Sequence, residues 1–192
     1  MIDKNDFLVM KKKLETDEAA RNTIADCARQ ILTMSKQVIY SLHREDMETA
    51  KKQYEAVCVK KTVLIALGKK SQKNAYGMYS AALQEFAEAA CYYSFAVYKK
   101  IPTHIKLKLD HEDYLLGICD LTGELERKTV FSAIKGDYNT VVEIKNIVEE
   151  VYFEFLKLDL RNSELRKKSD SIKWNLKKID EVLYDLKIKG KL

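Results

Sequence analysis

Leu83-Gln84-Glu85-Phe86-Ala87-Glu88-Ala89-Ala90 is the stretch on which the fold turns. It lies in a segment that carries neither Gly nor Pro between Gly77 and Pro102. So long a run without a breaker predicts a helix over roughly residues 72 to 99. On that helix Glu85 and Glu88 are three residues apart, about 60° around the axis, and share one face. Their neighbours Leu83, Phe86, Ala87, Ala89 and Ala90 are apolar, so this is not an ordinary solvated charged face.

Some thirty residues on, Leu116-Gly117-Ile118-Cys119-Asp120-Leu121-Thr122-Gly123-Glu124-Leu125 repeats the arrangement, with Asp120 and Glu124 at i,i+4 in another largely apolar run. If the two helices pack side by side, four carboxylates converge. Carboxylates held together repel one another, and a bound Mg²⁺ is the usual remedy. Gly117 and Gly123 sit inside the second helix, where each costs about 1 kcal/mol relative to Ala. A close approach by another helix or a ligand is expected to compensate.

The rest of the chain reads as helix too. Its 192 residues are 46% hydrophobic and 33% charged, with one Pro and six Gly, which argues against a many-turned β fold. A first helix is expected from about Asp17 to Arg44, with an apolar stripe through Ile24, Cys27, Ala28, Ile31, Leu32, Met34, Val38, Ile39 and Leu42. A second starts at Glu45-Asp46 and runs to about Leu67, with Gly68 as C-cap. After the third comes a connection from Ile101 to Asp110, in which Ile105, Leu107 and Leu109 alternate with Lys in a weakly strand-like pattern, read as extended. The Asp120 helix follows to about Lys135, Gly136 and Asp137 supply a stop and a restart, and further helices cover about 138–159 and 163–187, with a break near Leu160-Arg161-Asn162. The expectation is an all-α, single-domain bundle of six to seven long helices over residues 1–192, without repeats or linkers.

Several function classes are excluded. Cys27, Cys58, Cys91 and Cys119 form no CxxC pair and read as buried free thiols of a reducing compartment. His43, His104 and His111 fit no HExxH motif or triad signature, and no GxxxxGK[ST] loop is present. Met1-Ile2-Asp3-Lys4-Asn5-Asp6 opens charged and no apolar run reaches about 18 residues, so a soluble cytoplasmic protein without a membrane span is expected. A net charge of +5 permits an anionic partner. Arg29, Thr33, Lys36, Tyr40, His43 and Arg44 fall on the polar face of the first helix, either a solvated face or a surface for a phosphate backbone with a base against Tyr40. Tyr92, Tyr93 and Phe95 read as core or interface.

These residues in this order resemble the translin family, and specifically its Trax branch, over nearly the whole chain. Ser35-Lys36-Gln37-Val38-Ile39-Tyr40-Ser41-Leu42-His43-Arg44 is similar to the family's SK-x-x-I-F-x-L-H-R run, and Asp113-Tyr114-Leu115-Leu116-Gly117 with Asp120-Leu121-Thr122-Gly123-Glu124-Leu125 looks like the Trax D-Y-L-L-G…D-L-T-G-E-L. Ser163 to Lys168 and Tyr184 to Gly190 look like the C-terminal helix of translin. Glu85, Glu88 and Asp120 match acids that Trax proteins carry and translin proper replaces. The His/Arg-rich run of translin is absent, Tyr76-Gly77-Met78-Tyr79-Ser80 standing there, and the connection from Lys100 to Glu112 is short, as in a compact archaeal-type version.

The resemblance implies a hollow octamer whose interior carboxylates cleave single-stranded RNA with Mg²⁺. Glu85, Glu88 and Asp120 are carried over as metal-binding catalytic acids, and Glu124 as a further metal ligand. Lys36, Arg44 and Arg127 are the candidate nucleic-acid contacts; for Arg127 a salt bridge to Glu124 or Asp120 is the competing reading. The alternative function is a non-catalytic scaffold for single-stranded RNA or DNA.

Overall fold

A computed structural model of the chain describes residues 2–70, 76–161 and 163–192. Among these residues the fold is all-helical: α1 (Lys4–His43), α2 (Met47–Lys70), α3 (Tyr76–Tyr98), α4 (His104–Leu107), α5 (His111–Lys135), α6 (Tyr138–Leu156) and α7 (Glu164–Ile188). α3 is the hub. From Ala82 to Phe95 it buries Leu83, Phe86, Ala87, Ala89, Ala90, Cys91, Tyr92 and Tyr93, so it is apolar nearly all round. α1 lies along one side of it and α5 along another; α2 backs onto α1, and α6 and α7 onto α5. One hydrophobic core runs through these helices, from Ile31 and Val38 on α1 through Phe86 and Phe95 to Leu121, Ile144 and Ile172.

Local chemistry sets the boundaries. Asp110 caps α5 by accepting from the Glu112 amide, and Gly136 ends it at φ 78°, a left-handed conformation that costs glycine little. Asp137 then accepts from the Thr140 amide to open α6. Ser163 does the same for α7 through the Arg166 amide. The stop and restart read from Gly136-Asp137 is as the structure has it.

Four expectations change. α1 begins at Lys4, well before Asp17, because its first turns make a helix whose Phe7, Leu8, Val9 and Leu14 stay exposed; no buried stripe was there to be read. Gly68 is not a C-cap: α2 runs through it to Lys70, and the missing Cβ makes room for the ring of Tyr79. The proposed connection at Ser71 lies outside the described residues, as does Asn162 of the break before α7. The Ile101–Asp110 connection is not extended but contains α4, capped by the Thr103 hydroxyl. Leu107 and Leu109 are buried there while Ile105 is exposed, so the alternation with Lys reflects one helical turn and not a pleat. Finally α6 stops at Leu156, short of residue 159.

The buried cysteines are free, with Cys58 half-buried. No helix among the described residues is long and apolar enough to cross a membrane.

Candidate functional site

Gly117 brings the two acidic helices together. A Cβ at that position would stand 2.6 Å from the Ala87 Cβ and 2.7 Å from the Gln84 carbonyl oxygen, so α3 and α5 touch there backbone to backbone. One residue along α3 from this contact is Glu88, and three along α5 is Asp120. Gly123 plays no such part: a Cβ there would meet only Asn175 Nδ2 at 3.7 Å, an ordinary contact.

Just past the contact the helices open into a cleft of about 590 Å³, walled by α1, α3, α5 and α7. Glu85, Glu88, Asp120 and Glu124 all line it. The four acids predicted from spacing therefore share one concavity. Lys36 and Arg127 line it too, with Tyr40 and His43. Arg44 does not; its guanidinium donates to the Tyr40 hydroxyl at 3.3 Å and lies over that ring.

Burial sets the electrostatics. Glu88 is only 8% exposed, and its carboxyl is pushed up to about 9 by loss of solvent first and then by the negative charges of Asp120, Glu85 and Glu124. Burial also raises Glu85, against the pull of Lys36. It raises Asp120 as well, opposed by a hydrogen bond from Lys168. Three of the acids have cationic or histidine partners: Glu85 with Lys36 at 3.8 Å, Asp120 with Lys168 at 2.5 Å, and Glu124 with His43 and, at 3.9 Å, Arg127. Glu88 makes no hydrogen bond or ion pair among the described residues. With the side chains turned to these partners, no three His, Cys, Asp or Glu groups among the described residues stand together as a ligand set for a metal ion.

His43 and Lys168 are the residues that sequence reasoning missed. His43 was placed on the polar face of α1, yet its side chain is 5% exposed. Its Nε2 contacts the Glu124 carboxylate and its Nδ1 lies 3.2 Å from the Tyr92 hydroxyl. A carboxylate only accepts, so Nε2 carries a proton toward Glu124. The signal was available: His43 follows Ile39 by four residues and so continues the buried stripe. Lys168 had a signal too. Leu165, Ile172, Ile179 and Leu186 are buried at seven-residue spacing, and Lys168 and Asn175 occupy the alternate seam positions where apolar residues belong. Each instead meets a polar group on α5, Asp120 for Lys168 and the Thr122 hydroxyl, at 2.9 Å, for Asn175.

Chemically the cleft offers four carboxylates with hard oxygen donors, and the more exposed Lys36 and Arg127 beside them. Carboxylate oxygens of this kind suit Mg²⁺, and a metal ion would offset the repulsion that Asp120, Glu85 and Glu124 impose on Glu88.

The sequence model of the Translin family matches residues 19–190. Translin of Gallus gallus is 45% identical over 82 residues, 43% of this chain and 36% of translin's length. Translin-associated protein X of Mus musculus is 39% identical over 87 residues, 44% of this chain and 30% of its own length. The matched segments thus span about a third of these relatives. Among solved structures, apo-NeC3PO superposes with a TM-score of 0.87 at 30% identity, covering 96% of this chain and 97% of the other. AfC3PO, solved in complex with duplex RNA, superposes with a TM-score of 0.85 at 22% identity, covering 96% and 97%, and shares the fold.

Proposed function

The chain belongs to the translin family, and from that premise we propose that it is an Mg²⁺-dependent endoribonuclease of the Trax branch, cleaving single-stranded RNA inside an octameric shell. One observation carries the reading. Glu88 is a buried carboxyl without a hydrogen-bond or ion-pair partner among the described residues, facing a cleft lined by three more acids. A buried carboxyl of this kind costs stability unless it is protonated or paired with a cation, and its place in a cleft marks it as a candidate for the second. The residues present fit a hard dication: Glu85, Glu88, Asp120 and Glu124 would hold it. Bound there, Mg²⁺ would acidify a water and balance the negative charge on the phosphoryl oxygens during in-line displacement.

The chain's own groups supply the rest. Lys36 and Arg127 put positive charge at the rim, where a phosphodiester backbone enters. Tyr40, 59% exposed beside them, offers a ring for a base to stack on. Tyr92 and His43 fix the direction of the Glu124 carboxylate from behind.

The surface supports the assembly. Phe153 and Leu156 on α6 and Trp174 and Tyr184 on α7 are each more than half exposed, though Phe155 of the same α6 segment is buried. Large apolar groups of this kind call for covering. Eight copies of 22.2 kDa would give about 178 kDa in light scattering, and a stable monomer at micromolar concentration would exclude the shell.

A second reading is favoured by the ion pairs: with three acids already partnered, the protein would be a scaffold that binds single-stranded RNA or DNA without cutting it. Incubation with single-stranded and duplex RNA, in Mg²⁺ and in EDTA, separates the two. The nuclease cuts the single strand in Mg²⁺ alone. The scaffold retains RNA and leaves it whole.

A further inference from the structure

Lys168 reaches Asp120 from a helix that contributes no acid to the cleft. Its ammonium lies 2.5 Å from Asp120 Oδ2, with both side chains about 30% exposed. The backbone of α7 sets this position: Leu165 and Ile172 are buried three residues before and four residues after it, so the Lys168 stem starts from the α5–α7 seam. A lysine at a seam position gives up apolar contact and part of its hydration, which a short ion pair offsets.

That pair has an unusual setting. Asp120 is the carboxylate whose charge weighs most on Glu88 after burial itself, and Lys168 pulls against that effect on Glu88 and on Glu85. One ammonium thus serves a cluster of acids, from the place where a hard cation would need the Asp120 oxygens. The ordinary alternative is a structural tie between α5 and α7. The seam already has an uncharged tie one heptad further on, Asn175 to the Thr122 hydroxyl at 2.9 Å, together with the Leu165–Ile172–Ile179 stripe.

We propose that Lys168 is the resident counter-cation of the cleft, and that a divalent metal must displace its ammonium from Asp120 to bind. The proposal rests on the metal-site reading above and adds a competitor built into the chain. Two cations that need the same oxygens bind antagonistically, so removing one raises the affinity for the other. Lys168 then sets how much free metal loads the site.

Mn²⁺ titration followed by the electron paramagnetic resonance signal of the free ion reads this without reference to cleavage. Thermal melts confirm that each variant is folded. Lys168→Met keeps the length of the stem and removes the charge; it is expected to bind Mn²⁺ roughly fivefold tighter than the unmodified protein, the equivalent of a partly exposed ion pair. Lys168→Arg keeps the charge and should bind like the unmodified protein. Equal or weaker Mn²⁺ binding by Lys168→Met, with the unmodified protein binding normally, overturns the competitor role and leaves the metal site standing. If the unmodified protein takes up no Mn²⁺, or Glu88→Gln binds as well as it does, the metal site itself falls and this role with it.

Discussion

Gly117 on α5 and Ala87 on α3 meet so closely that a Cβ on the glycine would fall 2.6 Å from the Cβ of the alanine. The obstacle is not a flexible side-chain end, since the Gln84 carbonyl oxygen and the Glu88 amide nitrogen are also within about 3 Å. Gly117→Ala must therefore push the helices apart. Overpacking of this kind costs about 1–3 kcal/mol, which urea denaturation reads directly. Gly123→Ala, with ordinary space around it, should be neutral or gain up to about 1 kcal/mol from helix propensity. Equal effects at the two positions would contradict this account of the cleft.

The Tyr92 hydroxyl, its own ionisation suppressed by burial, holds one imidazole nitrogen of His43 and leaves the other to Glu124. Tyr92→Phe keeps the ring and removes the hydroxyl. The expected losses are about 1 kcal/mol of stability and roughly tenfold in metal affinity or cleavage, as for other residues that orient a ligand from behind. A variant indistinguishable in Mn²⁺ titration would remove Tyr92 from the positioning role.

Glu45, at φ 60° in the turn after α1, pairs with Lys135 at 2.7 Å and Lys128 at 3.0 Å and ties that turn to α5. Lys135, then Lys128, holds its carboxyl below the usual range. A carboxyl with a depressed folded pKa contributes stability above its unfolded pKa and loses it as pH falls through the folded value. Glu45→Gln should therefore cost up to about 1 kcal/mol near neutral pH and progressively less as pH falls below about 4, the ordinary range of the free carboxyl. A cost independent of pH would show that the pair is not what stabilises the turn.

If the rim cations hold a phosphate backbone, affinity for single-stranded RNA falls steeply with salt and depends little on base identity. Lys36→Ala and Arg127→Ala should each reduce the slope of log affinity against log salt by about 0.7. Arg44→Ala, outside the cleft lining, should change it less. Titrations at several salt concentrations decide the matter, and a salt-indifferent affinity would count against the basic rim.

What could be read in the sequence was whatever lies within one helical turn. Glu85 with Glu88 and Asp120 with Glu124 are i,i+3 and i,i+4 pairs, so their shared faces followed from helix geometry alone. Their convergence needed α3 beside α5, and Gly117 was the residue that hinted at it. The partners were harder, because His43 is 81 residues from Glu124 and Lys168 is 48 from Asp120. Periodicity marks both as facing inward but names no contact. The first turns of α1 were missed for the opposite reason: Phe7, Leu8 and Val9 bury nothing, so no stripe recorded them. α4 was misread because Ile105, Leu107 and Leu109 alternate with Lys as a strand would, whereas the chain makes one helical turn ending at Leu107 and reverses at Lys108, φ 54°.

The central claim is that the cleft carboxylates hold a catalytic metal, and single-turnover cleavage of single-stranded RNA at saturating protein tests it most directly, since binding defects then drop out. Glu85→Gln, Glu88→Gln and Asp120→Asn should each lower the rate by about a hundredfold or more while keeping the fold and the affinity for RNA. Glu126→Gln, whose carboxylate pairs with Lys178 at 3.9 Å in a separate groove, should cut at the unmodified rate. Full activity in all three cleft variants would contradict the claim.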